Sequence, residues 1–242
     1  MVLTQAVSSA IPSYVIQRVV LPGITLKALD RINRNFIWGT TAVKKRTHLV
    51  SWRKIACHKF EGGLAVMAAK PKNLALAAKL CWRFRSNPHE LWAQVLKCKY
   101  LSSPSPRKHA LSRTWTTICK GDNIYTLDSR WIPGTNSAIN FWFDKWLTQG
   151  PICNLIHGPF SSGEESFCIN NIYQDGTWHF HRLSFVLPDP VVLSIKALAV
   201  RQSTVGVNSL VWCFSSNGDF DSKNAYSLAL NEKKNFSHFL GH

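Results

Sequence analysis

Apolar residues in the first hundred positions recur at helical spacing. Leu3, Val7, Ile11 and Val15 fall at every fourth residue, on one side of a helix, and Pro12 within that pattern predicts a kink or a helix start near Ile11. After the turn Leu21-Pro22-Gly23, Leu29, Ile32 and Phe36 line one face of a second helix, and Lys27, Arg31 and Arg34 occupy another. Gly39 should stop it, because glycine readily takes the left-handed conformation that closes helices. The stretch KNLALAAKLCWRFR, Lys72 to Arg85, predicts a helix with Leu74, Ala77, Cys81 and Phe84 inside, and Lys79 and Arg83 one turn apart outside. Asn87-Pro88-His89-Glu90 offers an N-cap, a proline at N1 and a glutamate at N3, so a further helix should run through Leu91, Val95 and Cys98 to Tyr100. Between these helices lie the loop Lys44-Lys45-Arg46 and the segment HLVSWRKIACHKFEGGL, which Gly62-Gly63 breaks.

Residues 101–109, LSSPSPRKH, read as a linker. Beyond them the pattern turns short and β-rich. Ile139, Phe141 and Phe143 alternate with Asn140 and Trp142 after the turn Pro133-Gly134-Thr135-Asn136, which predicts a hairpin. A second hairpin is expected in SLVWCFSSNGDFD, turning at Asn217-Gly218, then a helix from Ser222 to Leu230. A further helix is expected from Pro190 to Arg201, whereas Pro151 to Phe167 shows little periodicity. The expected class is α+β: a helical region over 1–100, a linker over 101–112, and a mixed hairpin-rich region with a C-terminal helix over 113–242.

Composition adds a polarity to this picture. The 242 residues are 45% hydrophobic and 17% charged, a globular balance, and carry a net charge of +16. Residues 1–120 hold 21 Lys and Arg against 3 Asp and Glu, whereas residues 121–242 hold 8 against 10. Only the first half would face a polyanion. Seven widely spaced cysteines without a Cys-x-x-Cys pair favour free thiols in a reducing compartment. The opening residues lack the basic region of a signal peptide, and no apolar run approaches the roughly 20 residues needed to span a bilayer, so a soluble intracellular chain is expected.

Candidate chemistry is sparse. Two-metal phosphoryl transfer needs clustered carboxylates, but the sequence has no Asp-Asp and its one adjacent acidic pair is Glu164-Glu165, in SSGEESF. His179 and His181 would share a side of a strand, and Cys57 and His58 are adjacent, but neither set has the paired spacing of a structural zinc site. Cys81 and Cys98 read as small core residues. There is no nucleophile-elbow signature and no phosphate-loop spacing, including at Thr204-Val-Gly-Val-Asn. Most of the ten tryptophans sit in blocks such as FIWG, LCWRF and INFWFDKWL and read as core. No cofactor, metal, membrane or small-molecule substrate is expected.

Several blocks, in order, resemble the plant LINE-type (non-LTR) retrotransposon reverse transcriptases, whose members are often named ribonuclease H proteins. They are SAIPSYVIQRVVLP (9–22), DRINRNFIWG (30–39), HLVSWRKIACHKFEGGL (48–64), NLALAAKLCWRF (73–84), LWAQVLKCKY (91–100), RTWTTICKG (113–121), SRWIPGTNSAINFWFDKWL (129–147) and VWCFSSNGDFDSKNAY (211–226). Departures are Thr135-Asn136 where the family shows a Gly-Asp-Gly-like turn, Ala65 after Gly62-Gly63-Leu64, and the ending NEKKNFSHFLGH. The resemblance places the chain between the family's palm, with its Asp-Asp site, and its zinc-binding segment, so both chemical ends are expected to be absent.

The resemblance implies thumb-like helices that grip a template–primer duplex. Lys27, Arg31, Arg34, Lys44, Lys45, Arg46, Arg53, Lys54, Lys79 and Arg83 are the candidates for neutralising RNA or DNA phosphates without reading sequence. The same charges would also serve a plain solvated surface. The functional expectation is a non-catalytic fragment with sequence-independent nucleic-acid binding. Its alternatives are a truncated gene model of an RNA-directed DNA polymerase and a remnant without selected function.

Overall fold

The computed structural model describes residues 13–41, 43–57, 59–64, 66–101, 111–134, 137–158, 160–198 and 208–239. In chain order the elements are α1 (Ser13–Ile16), α2 (Gly23–Trp38), α3 (Trp52–Ile55), α4 (Ala69–Ser86), α5 (Leu91–Tyr100), α6 (Arg113–Asp128), β1 (Ser129–Ile132), α7 (Ile169–Ile172), β2 (Tyr173–Gln174), β3 (Thr177–Trp178), α8 (Asp189–Lys196), β4 (Ser209–Trp212) and α9 (Ser222–Phe239). The fold is α+β, as the periodicities predict. No helix among the described residues is long and apolar enough to cross a membrane.

The chain divides into two compact units, one of residues 1–127 with 221–242 and one of residues 128–220. The units divide at 127/128 and 220/221, and most of the linker expected over 101–112 lies outside the described residues. The expected stripe positions Leu3, Val7 and Ile11 lie outside them too.

In the first unit α4 is the central helix, burying Ala69, Asn73, Ala75, Ala77, Ala78, Cys81 and Phe84. Its small side chains let neighbours approach closely. α2 packs on it, and Asp30 of α2 accepts a hydrogen bond from the Ala69 backbone N–H at 2.8 Å, capping α4 where its own N-cap, Ala68, supplies no side chain. α9 packs on another side of α4. Its Tyr226 hydroxyl accepts from the Ala68 N–H at 2.9 Å and donates to the Ala56 carbonyl at 3.3 Å.

Three sequence expectations are corrected here. On α2 the buried positions are Leu26 and Asn33, whereas Ile32 and Phe36 are exposed, because the face that meets α4 carries Asp30. On α5 the boundaries are as predicted, but Leu91 and Val95 are 77% and 56% exposed and Cys98 is exposed. Aromatic packing turns the helix the other way: Trp92 meets Phe84, and Tyr100 stacks on Trp115 at 4.8 Å. Glu90 itself is the N-cap, while Asn87 closes α4 and donates to the Glu90 carboxylate at 2.7 Å. The third is α6, a sixteen-residue helix where the sequence suggested no helical element. Its threonines bond back to the preceding turn, Thr116 to the Ser112 carbonyl and Thr117 to that of Arg113, satisfying hydroxyls that would otherwise compete with the helix.

Gly39 ends α2 as expected, at φ 61°, with its N–H on the Phe36 carbonyl and that of Thr40 on Asn35, the double closure of a Schellman motif.

In the second unit β1 pairs antiparallel with β4, Ser129 opposite Trp212 and Ile132 opposite Ser209. The hairpin expected over 139–143 is absent. The Asn140 side-chain oxygen accepts from the Trp142 and Phe143 N–H groups at 2.9 Å each, folding a local turn. Ile139, Phe141, Trp142, Trp146 and Leu147 instead form one core with Ile152, Ile169, Ile172 and Ile195. The chain does reverse at Asn217-Gly218, where the Trp212 N–H meets the Gly218 carbonyl at 2.8 Å, but β4's partner is β1. α8 covers the first part of the helix expected over 190–201, and residues 199–207 lie outside the described set.

Candidate nucleic-acid interface

The first unit carries all ten cations singled out by the sequence, and the structure leaves nine of them exposed. Helical rotation of 100° per residue sets Lys27 and Arg31 on one flank of the exposed face of α2 and Ile32 and Phe36 on the other. Arg34 is the exception. It is half-buried, and its charge acts on Asp30, whose carboxyl is held above its ordinary range by burial, against the lowering effects of the Ala69 N–H and Arg34.

Lys44, Lys45 and Arg46 stand exposed in a loop anchored by the paired contacts of Thr41 and Lys44, at 3.0 Å each. Arg53 and Lys54 project from α3, whose N-cap Ser51 accepts from the Lys54 N–H. Lys79 and Arg83 project from α4 as its stripe predicts.

Two of the ten line a common recess. A groove of about 560 Å³ is walled by Gln17, Arg18, Leu76, Lys79, Leu80, Arg83, Trp92 and Thr114. Arg18, Trp92 and Thr114 are the residues that sequence reasoning missed. The segment 16–21 reaches the groove because α4 and α6 latch it. Asn73 is fully buried; its amide donates to the carbonyls of Ile16 and Val19 at 2.9 and 3.0 Å, and its oxygen accepts from the Leu21 N–H at 2.9 Å. Thr117 accepts from the Val20 N–H at 3.2 Å.

The acidic groups near these cations are largely committed internally. Asp30 caps α4, Asp122 binds Arg85 at 2.7 Å, and Glu90 accepts from Trp92 and Asn87 as well as facing Arg83 at 3.5 Å. Those contacts hold the Glu90 carboxyl below its usual range, the Trp92 indole most of all. The exposed Arg83–Glu90 pair is weak and would yield to a phosphate. A surface with cations in this excess attracts polyanions at a distance.

Among the described residues of the second unit, the adjacent carboxylates Glu164 and Glu165 form no rival site. Glu164 is buried and spends both oxygens on Ser184, through its backbone N–H at 3.2 Å and through its hydroxyl, while Glu165 is exposed, so the adjacent pair does not converge. The strand ends at Trp178, ahead of His179 and His181, whose rings meet edge to face at 5.5 Å. His58 lies outside the described residues, and among those described no group of three or more His, Cys, Asp or Glu could hold a metal ion. Trp142, Trp146 and Trp212 are fully buried.

Cys81 and Cys98 differ sharply. Burial pushes the Cys81 thiol up to about 12, and the thiol points at Asp122 at 3.5 Å, whereas Cys98 is exposed. Alkylation of the native protein at about pH 8.5, near the ordinary thiol value, should label Cys98 and spare Cys81 until denaturant is added, as read by peptide mass mapping.

Comparison with known proteins extends the sequence resemblance. The chain is 33% identical over 234 residues, 93% of its length, to an Arabidopsis thaliana protein named "Putative ribonuclease H protein", and spans 38% of that protein. It is also 25% identical over 143 residues, 57% of its length, to an "Uncharacterized mitochondrial protein" of the same plant, of which the match covers 93%. No family model and no solved structure matches the chain.

Proposed function

We propose that this chain is a non-catalytic fragment of a LINE-type reverse transcriptase that binds RNA or DNA through its phosphate backbone, without sequence preference. The observation that carries the reading is the segregation of exposed cations in the first unit: Lys27, Arg31, Lys44, Lys45, Arg46, Arg53, Lys54, Lys79 and Arg83 all face solvent. The order of the matched sequence blocks supports the LINE-type origin, and so does similarity over 93% of the chain to the ribonuclease-H-named relative. Phosphate contacts of this kind position a polyanion but carry no base information.

Binding of a labelled nucleic acid, measured by anisotropy across a salt series, tests this. The log-log plot should fall steeply, by about 0.9 per phosphate neutralised on duplex DNA. Replacing Lys44, Lys45 and Arg46 together with glutamine should flatten the slope by roughly 2 to 3, almost equally for unrelated sequences. A slope near zero, or no binding at low salt, would overturn the proposal.

The span of 38% of the ribonuclease-H-named relative favours a second reading, in which the chain is part of a longer RNA-directed DNA polymerase. Translation of the flanking genomic DNA decides it. An open frame with an upstream Asp-Asp would support the polymerase, and stop codons would end it.

A further inference from the structure

We infer that the groove between segment 16–21, α4 and α5 is a site for an unpaired nucleotide of a single strand. The inference rests on the nucleic-acid reading above and adds to it a place, a strand state and a role for bases. The groove is amphipathic in the way a nucleotide is. Leu76, Leu80 and Trp92 give it a half-buried apolar floor, Arg18, Lys79 and Arg83 give it a cationic rim, and Gln17 and Thr114 add neutral hydrogen-bonding groups.

Its volume of about 560 Å³ lies within the range of small-molecule sites and admits a single nucleoside phosphate. A stacked duplex presents phosphates and sugars to a protein surface and keeps its base faces covered, so it cannot use the apolar floor. An unpaired base can, because every base has a π-face and stacking on an aromatic side chain is sequence-tolerant.

The cations lie next to that floor. The Arg83 guanidinium stands 5.8 Å from the centre of the Trp92 ring, so a phosphate on Arg83 brings its own base or the next one to the indole. Glu90 borders the groove, facing Arg83 and accepting from the Trp92 indole N–H, which fixes the ring's orientation. The two walls come from parts of the chain more than fifty residues apart and are joined by the Asn73 bonds to Ile16, Val19 and Leu21.

The test uses the full chain with three labelled probes: an oligothymidine, the same backbone lacking its bases, and a blunt duplex of equal length. The oligothymidine should bind about tenfold tighter than the abasic strand, the increment expected for one or two stacked bases. Trp92→Leu should abolish that preference and leave abasic and duplex binding within about twofold, with thermal unfolding monitored to establish that the variant folds. Because Trp92 also packs on Phe84, the surface pair Arg18→Gln and Lys79→Gln provides the second measurement. It should weaken the oligothymidine by about tenfold and the duplex by less. Equal binding of the normal and abasic strands, or unchanged oligothymidine binding in the Arg18/Lys79 variant, overturns the site while leaving the backbone-binding reading in place. Absence of binding to all three probes overturns both.

Discussion

Gly121→Ala is expected to destabilise the first unit by about 3 kcal/mol, although alanine is the better helix former by about 1 kcal/mol. Gly121 lies inside α6 where that helix crosses α4. A β-carbon there would stand 2.2 Å from the Ala77 carbonyl oxygen and 2.3 Å from its carbon. Both are backbone atoms, so no rotamer change relieves the clash and one helix must move. Separation of α4 and α6 would also strain the edge-to-face contact of Phe84 with Trp115 and the Arg85–Asp122 ion pair. Thermal unfolding followed by circular dichroism should show a midpoint lower by roughly 10 °C, with valine worse than alanine. Gly23→Ala is the control. That position has nothing within 4 Å of the new carbon and should shift the midpoint little. A Gly121→Ala protein as stable as the parent would contradict the close crossing.

Asn73→Leu should cost about 4 kcal/mol, since it strands the Leu21 N–H and the carbonyls of Ile16 and Val19 where the chain is packed against α4. Leucine has the same branching and its two methyls leave no void, so the loss does not arise from a cavity. Asn73→Asp separates donor from acceptor. It keeps the partner of Leu21, but once ionised it faces two carbonyls with no proton to give. The buried carboxyl should therefore titrate above its unfolded value, with stability greatest in acid and falling as pH rises through the folded pKa. Arg18 supplies a local readout, because trypsin should cleave after it early in both variants and late in the parent. Slow cleavage at Arg18 in Asn73→Leu would show that other contacts hold the segment.

Much of the helical unit was legible because its central helix obeys the simplest rule. Ala77, Cys81 and Phe84 fall on one stripe, and Lys79 and Arg83 fall off it, so α4 and its exposed cations follow from spacing alone. The same rule misassigned the face of α5. Leu91, Val95 and Cys98 form a convincing stripe, but Trp92 and Tyr100 find aromatic partners on α4 and α6 that periodicity cannot see. α6 was hidden by its threonines and glycine, which weaken a helix unless the threonines bond backward and the glycine admits a neighbour. In the second unit the alternation over 139–143 reads as a strand, yet one asparagine side chain closes a turn, and β1 finds its partner about eighty residues away. Of the candidate site, the exposed cations were readable and the groove was not. Arg18 reaches it through contacts of Asn73 and Thr117, whose polar side chains carry no periodic signal, and Thr114 through α6, the helix the sequence did not suggest.

The interleaving of the two units imposes an order of assembly during synthesis. The helix that completes the first unit, α9, follows the whole second unit in the chain, and Tyr226 closes contacts to Ala56 and Ala68 across separations of 170 and 158 residues. The 93 residues of the second unit emerge before it, and β1 and β4 bring their ends together. The nascent chain can therefore close its second unit first, and it holds the side of α4 that α9 covers open until residues 222–239 have been made. A ribosome stalled before Ser222 presents a half-built helical layer, with the α9-facing side of α4 open to chaperones and proteases.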